Sequence, residues 1–99
     1  MIRHIVTWKL SADDALQRSA DAAGIKTGLE NLVGIIDGMP RLEVGIDIAT
    51  NTSNWDVVLV SEFDDEAALA GYQVHPDHVA VAQWVKTVVS ERSCVDYTW

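Results

Sequence analysis

The chain is poor in several residue types, and each shortage narrows its reading. It has one cysteine, Cys94. A single thiol excludes an internal disulfide framework and a four-cysteine zinc site, and it points to a cytoplasmic protein. Lys and Arg number seven against fifteen Asp and Glu, for a formal charge of -8. Nucleic acid and anionic membranes are held by clustered bases, so neither is an expected partner. No apolar run approaches the roughly 20 residues of a spanning helix. The opening Met1-Ile2-Arg3-His4 leads into alternation and does not read as a signal peptide. There is no internal repeat, phosphate-binding glycine loop, nucleophile elbow or zinc-protease motif. No cofactor is implied. What remains is one globular domain over residues 1–99, with 48% hydrophobic residues. A chain this size buries only about 60–70% of its unfolded surface, so help from a second chain is expected.

The elements follow from periodicity. Ile2, His4, Val6, Trp8 and Leu10 alternate with Arg3, Ile5, Thr7 and Lys9, which predicts a strand. Ser11 and Asp14 read as a capping box. The helix after them carries Ile25, Leu29, Leu32, Val33 and Ile36 on one stripe. Its glycines, Gly24, Gly28 and Gly34, predict a weakened or broken helix. Asp37-Gly38 and Pro40 end it. Leu42, Val44, Ile46 and Ile48 alternate as a second strand, and residues 50–54 read as a polar loop. Residues 55–63 form a third strand, apolar on both faces: Trp55, Val57, Leu59 and Phe63 on one, Val58 and Val60 on the other. Such a strand is covered on both sides, and the chain has too few helices to do so alone.

Asp64, Asp65 and Glu66 open a helix that carries Leu69 and Tyr72 and stops near His75. Pro76 suits the first turn of the next helix, whose buried stripe is His78, Val81, Ala82, Val85 and Val89. Residues 93–97 make a short last strand, with Cys94 as a small buried residue. The order β-α-β-β-α-α-β predicts a ferredoxin-like α+β sandwich with a four-stranded antiparallel sheet. A homodimer joined through the sheet faces covers the second face.

The chemistry-bearing residues cluster at Tyr72-Gln73-Val74-His75-Pro76-Asp77-His78. His78 faces the core in the first turn of its helix. The positive helix end and desolvation both disfavour an imidazolium there, and a neutral imidazole is a general base. Tyr72 lies one or two turns upstream and can donate its proton to a developing oxyanion. The same residues also fit a bland reading, in which Tyr72 and His78 hydrogen-bond each other and close a helix junction. His75, before Pro76, suits a capping role; a metal held by His75, Asp77 and His78 has no established spacing. His4 shares its strand face with Val6 and Trp8. Trp84 and Trp99 fit an interface or packing over the sheet edge.

The strand Ile2-Arg3-His4-Ile5-Val6, the helix start from Phe63 to Leu69, the Tyr72-x-x-His75-Pro76-x-His78 motif and the closing Val95-Asp96-Tyr97 resemble the stress-responsive A/B barrel (Dabb) family over essentially the whole chain. The resemblance implies a dimeric α+β barrel. It also implies an activity like that of the plant olivetolic acid cyclase, which closes a linear polyketide thioester by aldol condensation without a cofactor. That enzyme's acid–base Tyr and His match Tyr72 and His78, and its first-strand His matches His4. Val57 stands where it carries a further His. The implied pocket is lined by His4, Val6, Trp8, Val57, Leu59, Tyr72, His78, Val81, Ala82 and Val89, and suits a small apolar or aromatic molecule. Two other readings follow: a non-catalytic stress-responsive dimer that binds an apolar ligand or a partner, and a dimeric barrel oxygenase acting on haem or a quinol.

Overall fold

A computed structural model describes residues 1–99. Seven elements follow in the order β1 (Ile2–Leu10), α1 (Ala15–Glu30), β2 (Arg41–Ile46), β3 (Val57–Phe63), α2 (Glu66–Val74), α3 (Pro76–Val88) and β4 (Val89–Thr98). The sheet runs β2-β3-β1-β4 and every neighbouring pair is antiparallel. This is the ferredoxin-like α+β sandwich, with three helices against one sheet face. No helix is long and apolar enough to cross a membrane.

The register shows which residues share that covered face. Ile2 pairs with Phe63, His4 with Ser61, Val6 with Leu59 and Trp8 with Val57, and all eight are buried. Ser61 is polar yet fully buried; its hydroxyl donates to the His4 carbonyl at 3.1 Å. The opposite face carries Ile5, Val58, Val60, Val95 and Tyr97. Ile5, Val58 and Val60 are half-buried, and Val95 is 62% exposed.

Local signals set the helix ends. Asp14 itself caps α1, accepting from the Gln17 backbone N–H at 2.9 Å; Ser11 lies outside the cap. Asp65 caps α2 by accepting from the Ala68 N–H at 2.8 Å. The imidazole Nδ1 of His75 accepts from the Asp77 N–H at 3.1 Å and caps α3, with Pro76 in the first turn.

Four expectations are corrected. First, α1 is unbroken through Gly24 and Gly28, because these glycines make room for α3. A Cβ at Gly24 would lie 2.5 Å from Cη2 of Trp84, and one at Gly28 would lie 3.1 Å from Cγ1 of Val81. Second, α1 ends at Glu30, and hydrogen-bonded turns follow. Val33 therefore leaves the stripe and is exposed, while Leu32 and Ile36 stay buried. Third, β2 ends at Ile46 and β3 begins at Val57, so Ile48 and Trp55 lie in the connecting loop and Ile48 is exposed. Fourth, β4 is ten residues long. It takes in Val89, which caps α3 rather than extending its stripe. Cys94 is exposed because β4 is an edge strand that the helix layer does not cover.

Candidate functional site

A cavity of about 550 Å³ opens between α3 and the β1–β4 edge of the sheet. Its floor is His4, Val6 and Trp8 from β1 with Leu59 from β3. These four project together because alternate residues of a strand share a face. Leu29 of α1, Tyr72 of α2 and His78, Ala82 and Val85 of α3 form the wall. Lys86 of α3 and Val89, Ser90, Glu91 and Arg92 of β4 complete the rim. The buried lining residues mark the floor and the exposed ones mark the opening.

Most of the expected pocket residues meet here: His4, Val6, Trp8, Leu59, Tyr72, His78, Ala82 and Val89 all line the cavity. Val57 and Val81 do not. Val57 is buried beside Trp8 at the far end of β1. Val81 points toward Gly28 of α1. Leu29, Val85, Lys86, Ser90, Glu91 and Arg92 are additions to the lining, and Asp96 joins the site through its bond to His4. The signal for the β4 residues is weak, because β4 has a polar cavity-side face and its first half does not read as a strand. The alternation Ser90, Arg92, Cys94, Asp96 opposite β1 is the only trace of it.

Phe63 and Tyr72 pack edge-on against the His4 ring, and His78 packs against Tyr72. The Tyr72 and His78 rings lie 4.0 Å apart between centroids, and Tyr72 lies 5.1 Å from Phe63 and 6.1 Å from His4. Tyr72 is 1% exposed, and its phenolic oxygen has no hydrogen-bond partner. The two rings of the motif therefore lie against each other, tilted by 38°, and do not hydrogen-bond each other. A buried hydroxyl without a partner costs roughly 1–3 kcal/mol, and such groups call for an explanation.

The protonation states are set by burial and by partners. Burial pushes the Tyr72 phenol above its ordinary value, against a smaller opposing effect of Arg92. It stays a donor at neutral pH. Burial holds His78 below the ordinary histidine value; its Gln73 hydrogen bond opposes this, and His4, Arg92 and His75 reinforce it. Nδ1 of His78 donates to the Gln73 carbonyl at 3.3 Å. The proton of the neutral ring is thus on Nδ1, and the Nε2 lone pair is left free.

His4 is buried, and its Nδ1 donates to the Asp96 carboxylate at 2.5 Å. The Cys94 sulfur lies 3.6 Å from each of them. His4, Cys94 and Asp96 each bring one N, S or O atom within 4.8 Å of the others, but with the Nδ1 proton of His4 held by Asp96 the trio is a hydrogen-bonded cluster, and a metal would first have to displace that proton. Partial burial and the Asp96 charge raise the Cys94 thiol, which does not favour a nucleophilic thiolate.

Known proteins share this architecture. The chain is 29% identical to the stress-response A/B barrel domain-containing protein DABB1 of Arabidopsis thaliana over 98% of its own length and 46% of the relative's. It spans about half the length of that curated relative. A dimeric protein of unknown function and ferredoxin-like fold from Bacteroides fragilis superposes with a TM-score of 0.89 at 31% identity, covering 99% of this chain and 95% of that one. A Dabb family protein with a ferredoxin-like fold from Mesorhizobium loti gives a TM-score of 0.72 at 29% identity, covering 98% and 94%. Residues 2–99 match the Dabb family, the stress responsive A/B barrel domain, and the chain belongs to it.

Proposed function

We propose that this Dabb domain is a homodimer whose cavity binds a small apolar carbonyl compound and turns it over by acid–base chemistry without a cofactor. The carrying observation is the orphaned Tyr72 hydroxyl, on a ring packed against a neutral histidine inside an apolar cavity. A carbonyl oxygen that accepts from Tyr72 satisfies the buried donor. Polarised in this way, the carbonyl makes its α-proton more acidic, and Nε2 of His78 removes it. The resulting enolate is stabilised by the Tyr72 hydrogen bond in a site of low dielectric. Its attack on a second carbonyl gives an aldol or cyclisation; where a double bond is conjugated with the enolate, return of the proton from His78 to the far carbon gives an isomerisation. Asp96 is the positioning residue for His4, holding its Nδ1 proton and turning the other ring nitrogen to the remaining space. Trp8, Val6, Leu59, Ala82 and Val89 supply the apolar contact.

The test is α-proton exchange of acetophenone in deuterium oxide, followed by NMR. Wild type accelerates the exchange; Tyr72→Phe and His78→Ala lose about 10²-fold or more while remaining folded. Equal rates in all three proteins would refute the catalytic reading.

The homodimer rests on the uncovered sheet face. Ile5, Val58, Val60 and Val95 form an apolar centre on a face that no helix of this chain covers. Two such faces pressed together remove that surface from water, and the B. fragilis neighbour is described as dimeric. Light scattering then gives twice the 10.9 kDa chain mass; a mass of one chain contradicts the barrel.

A further inference from the structure

The distribution of charge around the cavity narrows the ligand class. The chain carries fifteen acids against seven bases, so a base without an acidic partner is the exception. Arg3, Lys9, Arg18, Lys26 and Arg41 each pair with a carboxylate. Lys86 and Arg92 pair with none, and both line the cavity rim. Glu91 also lines it, but its carboxylate is drawn off to Lys9 at 3.1 Å and does not neutralise Arg92. A strongly acidic protein has therefore left its two unpaired basic side chains at the mouth of one apolar cavity. The orphaned Tyr72 hydroxyl is the second polar fixture, buried in the wall of the same cavity.

From this arrangement we infer that the ligand is a small apolar or aromatic acid, anchored by its carboxylate at Lys86 and Arg92. Its body fills the space above Val6 and Leu59, and its oxygen function meets Tyr72. The inference rests on the cavity being the ligand site, and it adds which end of the ligand carries the charge. A guanidinium fork takes a carboxylate through two parallel hydrogen bonds, and Lys86 adds a mobile point charge. The rim is exposed, so these contacts orient and select the ligand. Most of the binding comes from the apolar walls.

The probes are 4-acetylbenzoate and 4-acetylbenzamide, which share an aromatic body and a ketone oxygen for Tyr72 and differ in charge at the end that meets Lys86 and Arg92. Their affinities are measured by titration calorimetry at neutral pH and low ionic strength. Wild type binds the acid about tenfold more tightly, since two charge-assisted contacts each contribute several-fold. The Lys86→Gln/Arg92→Gln double variant loses that preference and keeps its affinity for the amide; added salt does the same to wild type. Both substitutions are at exposed positions, so the fold is kept. Equal affinity of wild type for the two probes, or a preference that survives in the double variant, overturns the anchor and leaves the cavity as a neutral-ligand site. No binding of either probe to wild type overturns the anchor together with the ligand-site reading.

Discussion

The two ends of the sheet are built for different purposes. Under α1, β2 and β3 are closely packed: Ile25, Leu42, Val44 and Phe63 are all buried, and Ile25 and Phe63 are 0% exposed. Even the polar groups there are tied down. The Glu30 carboxylate accepts from the Val44 N–H at 3.1 Å, and Lys26 donates to the Val44 carbonyl at 2.6 Å. Under α3, β1 and β4 enclose a cavity, a buried hydroxyl lacks a partner, and the edge strand is exposed. Dense packing supplies stability at one end, and that stability sustains a poorly satisfied site at the other.

Substitutions at the two ends should therefore separate stability from function, and Ile25→Ala should have the largest effect. Deleting a fully buried side chain in a dense core costs about 2–5 kcal/mol, so denaturant unfolding shifts strongly while the folded fraction keeps its ligand. A loss below about 1 kcal/mol would mean that this end is as slack as the other. Gly24→Ala comes next. Its Cβ would meet the Trp84 ring at 2.5 Å, and the crowding of about 1–3 kcal/mol outweighs a helix-propensity gain of up to about 1 kcal/mol. Trp84→Ala in the same chain relieves the crowding, and a thermal-melt cycle of the two reads the coupling.

Tyr72→Phe has the opposite sign. It removes a buried hydroxyl that has no partner, so the free protein gains up to about 1 kcal/mol while ligand binding falls. A clear loss of stability would place Tyr72 with the structural core. The shallowest effect is with pH. His78 titrates below the ordinary histidine value in the folded chain. The unfolded chain therefore takes up its proton first as pH falls. The stability this group contributes is present above about pH 6.5 and is lost as pH falls through its lowered folded value. Unfolding midpoints measured across this range slope less in His78→Gln than in wild type.

The sequence carries the fold well because its strongest signals are periodic. Alternation in β1 and the caps before α2 and α3 depend on near neighbours, so they survive folding unchanged. Reading Gly24 and Gly28 as weak points in α1 goes wrong because helix propensity does not see Trp84 and Val81, which come to rest there. β4 is hard to read for a related reason. Residues 93–97 are expected as a strand and are one, but the Ser90, Arg92, Cys94 and Asp96 face shows no apolar alternation, and only pairing with β1 reveals that the strand starts at Val89. That same strand supplies Arg92 to the rim and Asp96 to His4, so the part of the site least legible in the sequence is the part that carries charge. Tyr72 and His78 are visible from their motif. That their rings lie against each other, with the hydroxyl left unsatisfied, is visible only in three dimensions.

The central claim is that the slack end of the sheet is a ligand site and the tight end is not. A thermal-shift screen of small aromatic acids, phenols and acyl-thioester mimics, run on wild type, Tyr72→Phe and His78→Ala, tests it most directly. A ligand at a hundredfold its Kd adds about 2.7 kcal/mol, several degrees or more for a domain of this size. The account predicts a clear upward shift for wild type that fades in both variants, each still cooperatively folded. No shift for wild type with any of these ligands, together with lower melting temperatures for both variants, would contradict it and make Tyr72 and His78 part of the packed core.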